Sequence, residues 1–197
     1  MLISEDRIRK IIRSALLREA MFTSRDLVMS GINLELRVDA GMGVIQIEAR
    51  KGPWQVGHLE SFQISNRKSP CYGAYEIKSV RAQKKGLGPL MYEIAMEAAS
   101  AVGGGLISDR MHVSSDALRV WTKYKNGRPD VDKLPMDDFR RPQTPDPDDD
   151  CDVSLPWGEA GDEWPDHPLS QAYRKNGLET IKDLRLSKVL KVYGMDI

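Results

Sequence analysis

The sequence has only two cysteines, no long apolar run and no excess of either charge. Two cysteines cannot form the disulfide framework of a small secreted protein. Their number fits a reducing compartment, although Cys71 and Cys151 could pair if they met in space. No apolar stretch approaches the length of a membrane span, and basic residues interrupt the N-terminal region where a signal peptide would have its apolar core. These absences predict a soluble cytoplasmic protein with no membrane partner.

The balance of charge argues against one further class of function. The 29 basic and 29 acidic residues cancel, so no overall field favours nucleic acid or a membrane surface. Residues 1–129 hold 20 basic and 13 acidic residues (+7), residues 130–166 hold 3 and 13 (−10), and residues 167–197 hold 6 and 3 (+3). The basic body contains no recognised nucleic-acid-binding module and no interleaved aromatic platform, so a nucleic-acid partner is not expected.

Residues 74–99 have the pattern of a strand, a glycine-containing loop and a helix. Residues 74–81 alternate apolar and polar side chains, as a half-buried strand does, and residues 83–88 break that alternation. Pro89 suits the first turn of a helix. The residues that recur at helical spacing to give one apolar face are Leu90, Met91, Ile94, Ala95 and Ala98. The loop therefore leads into the N-terminus of a helix.

Such a loop is chemically suited to an anion. Gly86 and Gly88 allow the backbone to approach a bound group closely, and the free N–H groups and dipole of the helix attract negative charge. Lys84 and Lys85 add two positive charges. The pattern predicts a phosphate cradle. The loop could instead serve only to reverse the chain, because glycine-rich turns between strand and helix also occur without a ligand.

Residues 83–88 resemble the Gln/Arg-x-x-Gly-x-Gly/Ala signature of the GNAT acyltransferase superfamily, and they occupy the same place, after a strand and before a helix. The resemblance implies that the loop holds the pyrophosphate of acetyl-CoA or another acyl-CoA. It also implies that the backbone of the preceding strand holds the pantetheine arm. The implied cofactor-binding residues are Val80, Ala82, Gln83, Lys84, Lys85, Gly86, Leu87 and Gly88.

The elements before this loop are in the order expected of a GNAT core. Strands are predicted at residues 32–39, 44–50 and 55–65, and residues 40–43 read as a hairpin loop between the first two. Imperfect alternation in the third strand indicates a bulge or bend near Gly57. These three strands form an antiparallel meander that leads to the strand before the cradle.

A second, looser part of the resemblance follows a short predicted strand at residues 106–108. The residues that fall close to the GNAT pattern of cap, small, aromatic and basic positions are Ser114, Ala117, Val120, Trp121 and Lys123. The similarity covers roughly residues 32–127 and is greatest to divergent GNAT-like proteins of the kind that bacteriophages encode. It implies an α/β (α+β) fold with a mixed, mainly antiparallel central sheet flanked by helices.

The flanking regions give predicted divisions at residues 1–30, 31–129 and 130–197. Residues 1–30 contain a basic amphipathic helix that either packs on its own domain or docks on a partner. Residues 128–168 are rich in proline and acid and are expected to lack regular structure. Their cluster at residues 146–152 could bind Ca²⁺ or Mg²⁺, but its spacing is not that of an EF-hand, and no metal site is predicted.

The end of the chain is predicted to be a helical extension packed on the core. Helical pieces are expected at residues 169–173 and 178–192, separated by Asn176 and Gly177. Many GNAT sheets end with two C-terminal strands. Here they could lie at residues 152–155 and 188–193, or this part of the chain has been replaced by a different extension.

The resemblance also implies a catalytic acid. Many active members carry a tyrosine on the helix that begins after Ser114, and its phenol protonates the departing coenzyme A thiolate. The simplest correspondence puts Trp121 there, and an indole N–H is no useful acid. Tyr124 lies one turn later on nearly the same face, so it is the predicted proton donor; it could equally be a core aromatic residue.

A general base is needed to take a proton from an amine nucleophile. Glu76, on the strand before the cradle, is the predicted base, although it could equally be a solvated strand residue. His58 and Glu60 on the preceding strand are the next candidates. Asp109 and His112 lie close together in sequence, but that spacing is common in loops, and no catalytic dyad is predicted.

Two functions from different classes are consistent with these patterns. One is an acyl-CoA-dependent N-acyltransferase that moves an acetyl or other acyl group to an amine of a small molecule or protein. The other is a catalytically inactive GNAT-fold protein with a binding or structural role, and such a protein could be viral. The intact Gln83, Gly86 and Gly88 favour the enzyme, whereas Trp121 and the unusual tail favour the inactive protein.

Overall fold

The structure is a computed structural model that describes residues 21–67, 69, 71–109, 112–135 and 167–196. Its helices are α1 (Ser24–Ser30), α2 (Leu87–Val102), α3 (Ser115–Gly127) and α4 (Glu179–Leu186). Its strands are β1 (Ile32–Asp39), β2 (Val44–Lys51), β3 (Trp54–Gln63), β4 (Tyr75–Ala82), β5 (Leu106–Ile107), β6 (Val131–Pro135), β7 (Gln171–Lys175) and β8 (Leu190–Tyr193). The predicted N-terminal helix, the acidic cluster at 146–152 and the candidate strand at 152–155 lie outside the described residues.

The eight strands form one sheet in the order β6-β7-β5-β4-β3-β2-β1-β8. The pairs β4–β5 and β1–β8 are parallel, and the other neighbours are antiparallel. The predicted mixed, mainly antiparallel sheet with flanking helices is therefore confirmed at this level. Because α2 connects β4 to β5, those two strands run in the same direction.

Local sequence signals account for the first half of the sheet. The hairpin between β1 and β2 turns at residues 40–43, as predicted, with Gly43 at a φ of 65°. The predicted bulge in β3 is also confirmed. Ala49 pairs with Gly57 and Arg50 pairs with Gln55, so Val56 is the extra residue. The predicted cap Ser114 accepts a hydrogen bond from the backbone N–H of Ala117 at 3.2 Å.

The main core lies between α2 and one face of the sheet. Alternate residues of the strands are buried, as the two-residue period of a strand requires. On β1 and β2 these are Ile32, Leu34, Leu36, Val38, Ile45, Ile47 and Ala49. Helix α2 lies so close to β3 that a Cβ added at Gly57 would stand 3.0 Å from Leu87 Cδ2. Burying each such aliphatic side chain contributes about 1.5–3 kcal/mol, so the contact fixes α2 across the sheet.

The tail differs from the sequence prediction at two places. Residues 169–173, predicted to be helical, belong to a 3₁₀ turn (Pro168–Ser170) and to strand β7. The segment at 128–168, predicted to lack regular structure, includes β6, which pairs antiparallel with β7. Hydrogen bonding between residues far apart in sequence overrides the weak local preferences of both segments.

The prediction for residues 178–192 is correct only in its first part. Helix α4 (Glu179–Leu186) ends six residues before the predicted end at residue 192. Strand β8 (Leu190–Tyr193) follows it, in agreement with the alternative prediction of a strand at residues 188–193. Strands β6, β7 and β8 share one sheet with β1–β5. The described part of the tail therefore completes the sheet as well as supplying a helix.

Cys71 is buried and disulfide-bonded. The other cysteine of the chain, Cys151, lies outside the described residues. Of the two alternatives that the sequence left open for the cysteines, pairing therefore holds for Cys71. Disulfides persist mainly in oxidising compartments. The number of cysteines therefore no longer supports the predicted cytoplasmic location.

A buried ion network ties the tail to the core. Lys175 on β7 places its Nζ 2.7 Å from Glu93 Oε1 and 2.6 Å from Glu97 Oε1, both on α2. Arg128, just after α3, donates two hydrogen bonds to Glu93 at 2.8 and 2.7 Å. Glu97 also accepts the backbone N–H groups of Thr180 and Ile181 at the start of α4, each at 2.9 Å. One cluster thus joins α2, α3, β7 and α4.

The charges in this network stabilise one another. Burial alone would raise the pKa of Glu93, but the hydrogen bonds and charge of Arg128, followed by those of Lys175, hold it below its ordinary value. Burial would likewise lower the pKa of Lys175, but the nearby Glu93 and Glu97 raise it. Both groups therefore stay charged at neutral pH.

Removal of the central cation should destabilise the protein strongly. We expect Lys175→Met to lower the free energy of unfolding by about 3–5 kcal/mol, because it leaves Glu97 and Glu93 buried with too few positive partners. Lys182→Met is the matched control, since that side chain is exposed on α4, and it should change the value by less than about 0.5 kcal/mol. Urea unfolding followed by circular dichroism measures both. Similar losses in the two variants would refute a stabilising role of the network.

The lowered pKa of Glu93 predicts a loss of stability in acid. A carboxyl group whose pKa is depressed by folding stabilises the protein above its ordinary pKa of 4.5, and this contribution disappears as the pH falls through the lower folded value. We expect the free energy of unfolding to decrease below pH 4.5. Urea titrations at several pH values should show a shallower decrease for Glu93→Gln, and an equal slope would contradict the assignment.

Candidate functional site

The loop between β4 and α2 is held by its first residue. Gln83 donates its backbone N–H to the Val56 carbonyl at 2.9 Å and its side-chain Nε2 to the Gln55 carbonyl at 3.3 Å, so both groups bind β3. Gly86 is the N-cap of α2 and has no side chain with which to cap it, and the Leu87 N–H donates to the Lys84 carbonyl at 3.1 Å. Lys84 and Lys85 are exposed beside it. An uncapped helix N-terminus next to two lysines can bind an anion.

Glycine stands at positions 86 and 88 of the loop for different physical reasons. Gly86 has a φ of 90°, and a Cβ there would lie 2.8 Å from the ring of Phe22. Its backbone carbonyl also accepts the N–H of Phe22 at 3.1 Å. Gly88 has an ordinary φ, and its Cβ would meet only Ala82 Cβ at 3.6 Å, a normal contact. The fold itself therefore explains Gly86, whereas Gly88 leaves room that no described residue fills.

Strand β4 has an open edge beside this loop. It pairs with β5 only at Tyr75 and Glu76, and no other strand among the described residues pairs with that edge. The N–H of Gln83 points towards β3. Because N–H directions alternate along a strand, those of Ala82 and Val80 point away from β3, towards the open edge. These are the two residues whose backbone the resemblance assigns to the pantetheine arm.

Two hydroxyl groups near this opening were not predicted from the sequence. Ser108 directly follows β5, is 1% exposed, and its Oγ has no hydrogen-bond partner among the described residues. Tyr92 lies one turn after Gly88 on α2 and contacts Trp121 of α3. The spacing of four residues from Gly88 is a sequence signal that could have identified Tyr92. No local signal marks Ser108.

Glu76, the predicted base, faces away from α2. Its strand neighbours Tyr75 and Ile77 belong to the main core, so alternation puts Glu76 on the opposite face of the sheet. It is 8% exposed, and its Oε1 lies 2.7 Å from Lys78 Nζ. The structure therefore places the predicted base on one face of the sheet and the predicted acid, Tyr124, on the other.

The remaining candidates for a base on β3 lie on the same face of the sheet as Glu76, opposite α2. Leu59 of β3 is buried in the main core, so His58 and Glu60 beside it point to the opposite side. Glu60 accepts a hydrogen bond from Gln46 Nε2 at 2.6 Å. Asp109 Oδ1 accepts the backbone N–H of His112 at 3.1 Å, which is the contact of a loop turn.

Tyr124, the predicted proton donor, is packed inside an aromatic cluster. Its ring centroid lies 5.9 Å from that of Trp121 and 5.7 Å from that of Tyr173, and the Arg128 guanidinium covers its ring at 5.9 Å. Its hydroxyl is sealed from solvent and makes no well-formed hydrogen bond among the described residues. Burial, followed by the charge of Glu93, raises the pKa of Tyr124 well above its ordinary value. These facts favour the alternative of a core aromatic residue.

Comparisons with known proteins do not extend these observations, because the chain matches no protein-family model, no curated protein and no solved structure. Within the described ranges, no group of three or more histidine, cysteine, aspartate or glutamate side chains could hold a metal ion. None of the described helices is both long enough and apolar enough to cross a membrane. The function therefore has to be inferred from the geometry of the loop and of the open strand edge.

Alanine substitution should separate the two glycines. We expect Gly86→Ala to lower the free energy of unfolding by about 1–3 kcal/mol, because it forces a left-handed residue and a contact with Phe22. Gly88→Ala should leave stability unchanged or raise it by up to about 1 kcal/mol, as alanine is favoured over glycine in a helix. Urea unfolding measures both variants. Equal effects would contradict the distinction between them.

Proposed function

We propose that the chain is an acyl-CoA-dependent N-acyltransferase that transfers an acetyl or other acyl group to an amine of a small molecule or protein. One observation carries this proposal: the uncapped N-terminus of α2 and the open edge of β4 meet at the same place, at Gly88 and Ala82. A helix N-terminus attracts phosphate, and an unpaired strand edge attracts amide groups. Acyl-CoA contains both, joined in one molecule.

The residues present fit this ligand. The backbone N–H groups of Gly86 and Gly88, with the exposed Lys84 and Lys85, would hold the pyrophosphate, and the space beside Gly88 allows close approach. The backbone N–H groups of Val80 and Ala82 would bind the amides of the pantetheine arm. Gln83 would act indirectly, since its hydrogen bonds to β3 fix the start of the loop.

The order of the sheet adds support. The GNAT resemblance implies an antiparallel meander, a parallel strand after the cradle helix and two further C-terminal strands. The chain has the meander β1–β4, then β5 parallel to β4, then the antiparallel pair β6 and β7 beside β5. The pairing of β4 with β5 stops at Glu76, where β5 ends, so the rest of this edge of β4 is unpaired among the described strands and an extended ligand arm could pair with it in this gap.

The ligand would supply an activated thioester, and the chain would supply binding, orientation and proton transfer. Glu76 remains the proposed base for an attacking amine, because its carboxylate lies where β4 and β5 separate, in contact with Lys78. The amine would then approach from the face of the sheet that α2 does not cover. Tyr124 is a weaker choice for the acid, since its hydroxyl is sealed in the core.

The second candidate is a GNAT-fold protein that binds a ligand or partner without catalysis. The burial of Tyr124 among aromatic rings, together with Trp121 at the usual tyrosine position, favours it. Both functions predict coenzyme A binding if the cradle is retained. They differ in whether bound acyl-CoA is turned over in the presence of amines.

Coenzyme A binding tests the cradle directly. We expect isothermal titration calorimetry to detect binding to the wild-type chain, and Gly88→Glu to abolish it, because the new carboxylate would repel the pyrophosphate. Gly88→Ala is the matched control. The family signature accepts alanine at this position and the methyl group has room beside Ala82, so this variant should bind about as tightly as the wild type.

The control also makes a negative result interpretable. Thermal unfolding should show that both Gly88 variants remain folded, because the side chain at this position is only half-buried. Absence of wild-type binding at millimolar coenzyme A would remove the proposed function. Equal binding by Gly88→Glu would place the ligand elsewhere on the protein.

A further inference from the structure

Acyl transfer from a thioester to an amine leaves negative charge on sulfur, and a hydrogen-bond donor beside that sulfur lowers the barrier. Tyr124 cannot easily provide this donor, because its hydroxyl is sealed behind Trp121 and Tyr173. Trp121 offers only an indole N–H. Another hydroxyl that reaches the gap between β4 and β5 would supply this hydrogen bond.

Tyr92 projects from α2 towards this gap. Gly88 faces β4, since its Cβ direction meets Ala82 at 3.6 Å. Tyr92 is four residues later, so it lies on the same face of the helix, and helical side chains tilt towards the N-terminus, in this case back towards Gly88. The opposite side of α2 carries Glu97, which binds the start of α4. Tyr92 is thus directed to the sheet at the point where β4 separates from β5.

The neighbours of Tyr92 complete the far wall of the gap. Its ring meets that of Trp121 edge to face, with centroids 5.3 Å apart and an interplanar angle of 81°, so α3 supports the phenol from the β5 side. Asp109, which lies two residues beyond β5, is close enough for its charge to act on Tyr92. The edge-to-face contact holds the ring in place against α3.

The hydroxyl group of Tyr92 differs from that of Tyr124 in its access to solvent. Tyr92 is 5% exposed, makes no hydrogen bond with a described residue, and its oxygen is not among the sealed oxygens without a partner. Burial, followed by the charge of Asp109, raises the pKa of Tyr92 above its ordinary range. The phenol therefore stays protonated at neutral pH and is free to donate a hydrogen bond at the gap.

We propose that Tyr92 is the hydrogen-bond donor to the departing sulfur, in place of the tyrosine that the GNAT resemblance would put on α3. This inference rests on the proposed acyltransferase function. In this chain the phenol comes from α2, and Trp121 occupies the usual position on α3 and packs against it. Trp121 on α3 thus stands where the resemblance expects a tyrosine, and Tyr92 on α2 would supply the missing phenol at the gap between β4 and β5.

The proposed step balances without a further reactant. The amine nitrogen forms a bond to the acyl carbon while the carbon–sulfur bond breaks, and the electron pair of that bond goes to sulfur. Tyr92 donates a hydrogen bond to the sulfur as its charge develops, and the sulfur leaves as a thiolate that takes a proton from solvent. The proton lost by nitrogen passes to Glu76 or to water, and the phenol keeps its own proton.

The ionisation of bound coenzyme A tests this role without an acceptor. Ultraviolet absorbance follows the thiolate of coenzyme A bound to the wild type, to Tyr92→Phe and to Tyr124→Phe during a pH titration. Loss of one hydrogen bond to the charged sulfur should raise the pKa of the bound thiol by about one pH unit in Tyr92→Phe. Tyr124→Phe removes the same hydroxyl from the core and should leave this pKa unchanged.

Turnover gives a second readout. With acetyl-CoA and a mixture of primary amines, thiol release by Tyr92→Phe should fall by up to about tenfold, the factor that one unit of thiol pKa represents, while calorimetry finds the wild-type affinity for coenzyme A. An unchanged thiol pKa in Tyr92→Phe, or an equal change in Tyr124→Phe, would overturn the assignment and leave the proposed function standing. Failure of the wild type to bind coenzyme A would remove both. Each phenylalanine keeps the ring packing, so both variants should fold.

Discussion

The arrangement of the second half of the molecule depends on one buried ammonium group. Lys175 lies between Glu93 and Glu97, two carboxylates one helical turn apart on α2. Both carboxylates are buried against the Lys175 ammonium, which offsets the cost of removing their charges from water, and Glu93 has Arg128 as a second cation. Because Glu97 also caps α4 and Glu93 also binds Arg128 after α3, this single contact sets where three elements pack against α2. Because α2 is held in place by these contacts, the position of the cradle at its N-terminus is fixed as well.

The gap in the sheet has an equally local cause. Ser61 pairs with Ile77 and Glu60 pairs with Ser79, so Lys78 is an extra residue in β4. A bulge bends its strand and increases its twist, and β5 ends at Ile107, level with Glu76. Beyond that level no strand among the described ranges pairs with this side of β4. A bulge and a short neighbour together create an open strand edge in the interior of the sheet, where an edge would otherwise be paired.

The sequence predicted those features that depend on neighbouring residues. The turn at 40–43, the bulge at Val56 and the Ser114 cap each have a local chemical cause, and each was found. Strands β6 and β7 were missed, because their stability comes from pairing with each other across a long intervening segment. The partners of Glu93 and Glu97 could not be predicted either, since Lys175 lies about eighty residues away. At the candidate site, the loop followed from its glycines, whereas the placement of Tyr124 depended on tertiary packing.

The two faces of the sheet divide the proposed chemistry. Glu76 and Lys78 lie on the face of the sheet opposite α2, while Gly88 and Tyr92 belong to α2 itself. A thioester held along the edge of β4 would be exposed to both. The nucleophile and the leaving group of an acyl transfer need different proton-transfer partners, and placing these on opposite sides keeps a base and an acid from neutralising each other directly. The gap between β4 and β5 is the feature that would let one bound thioester contact both groups.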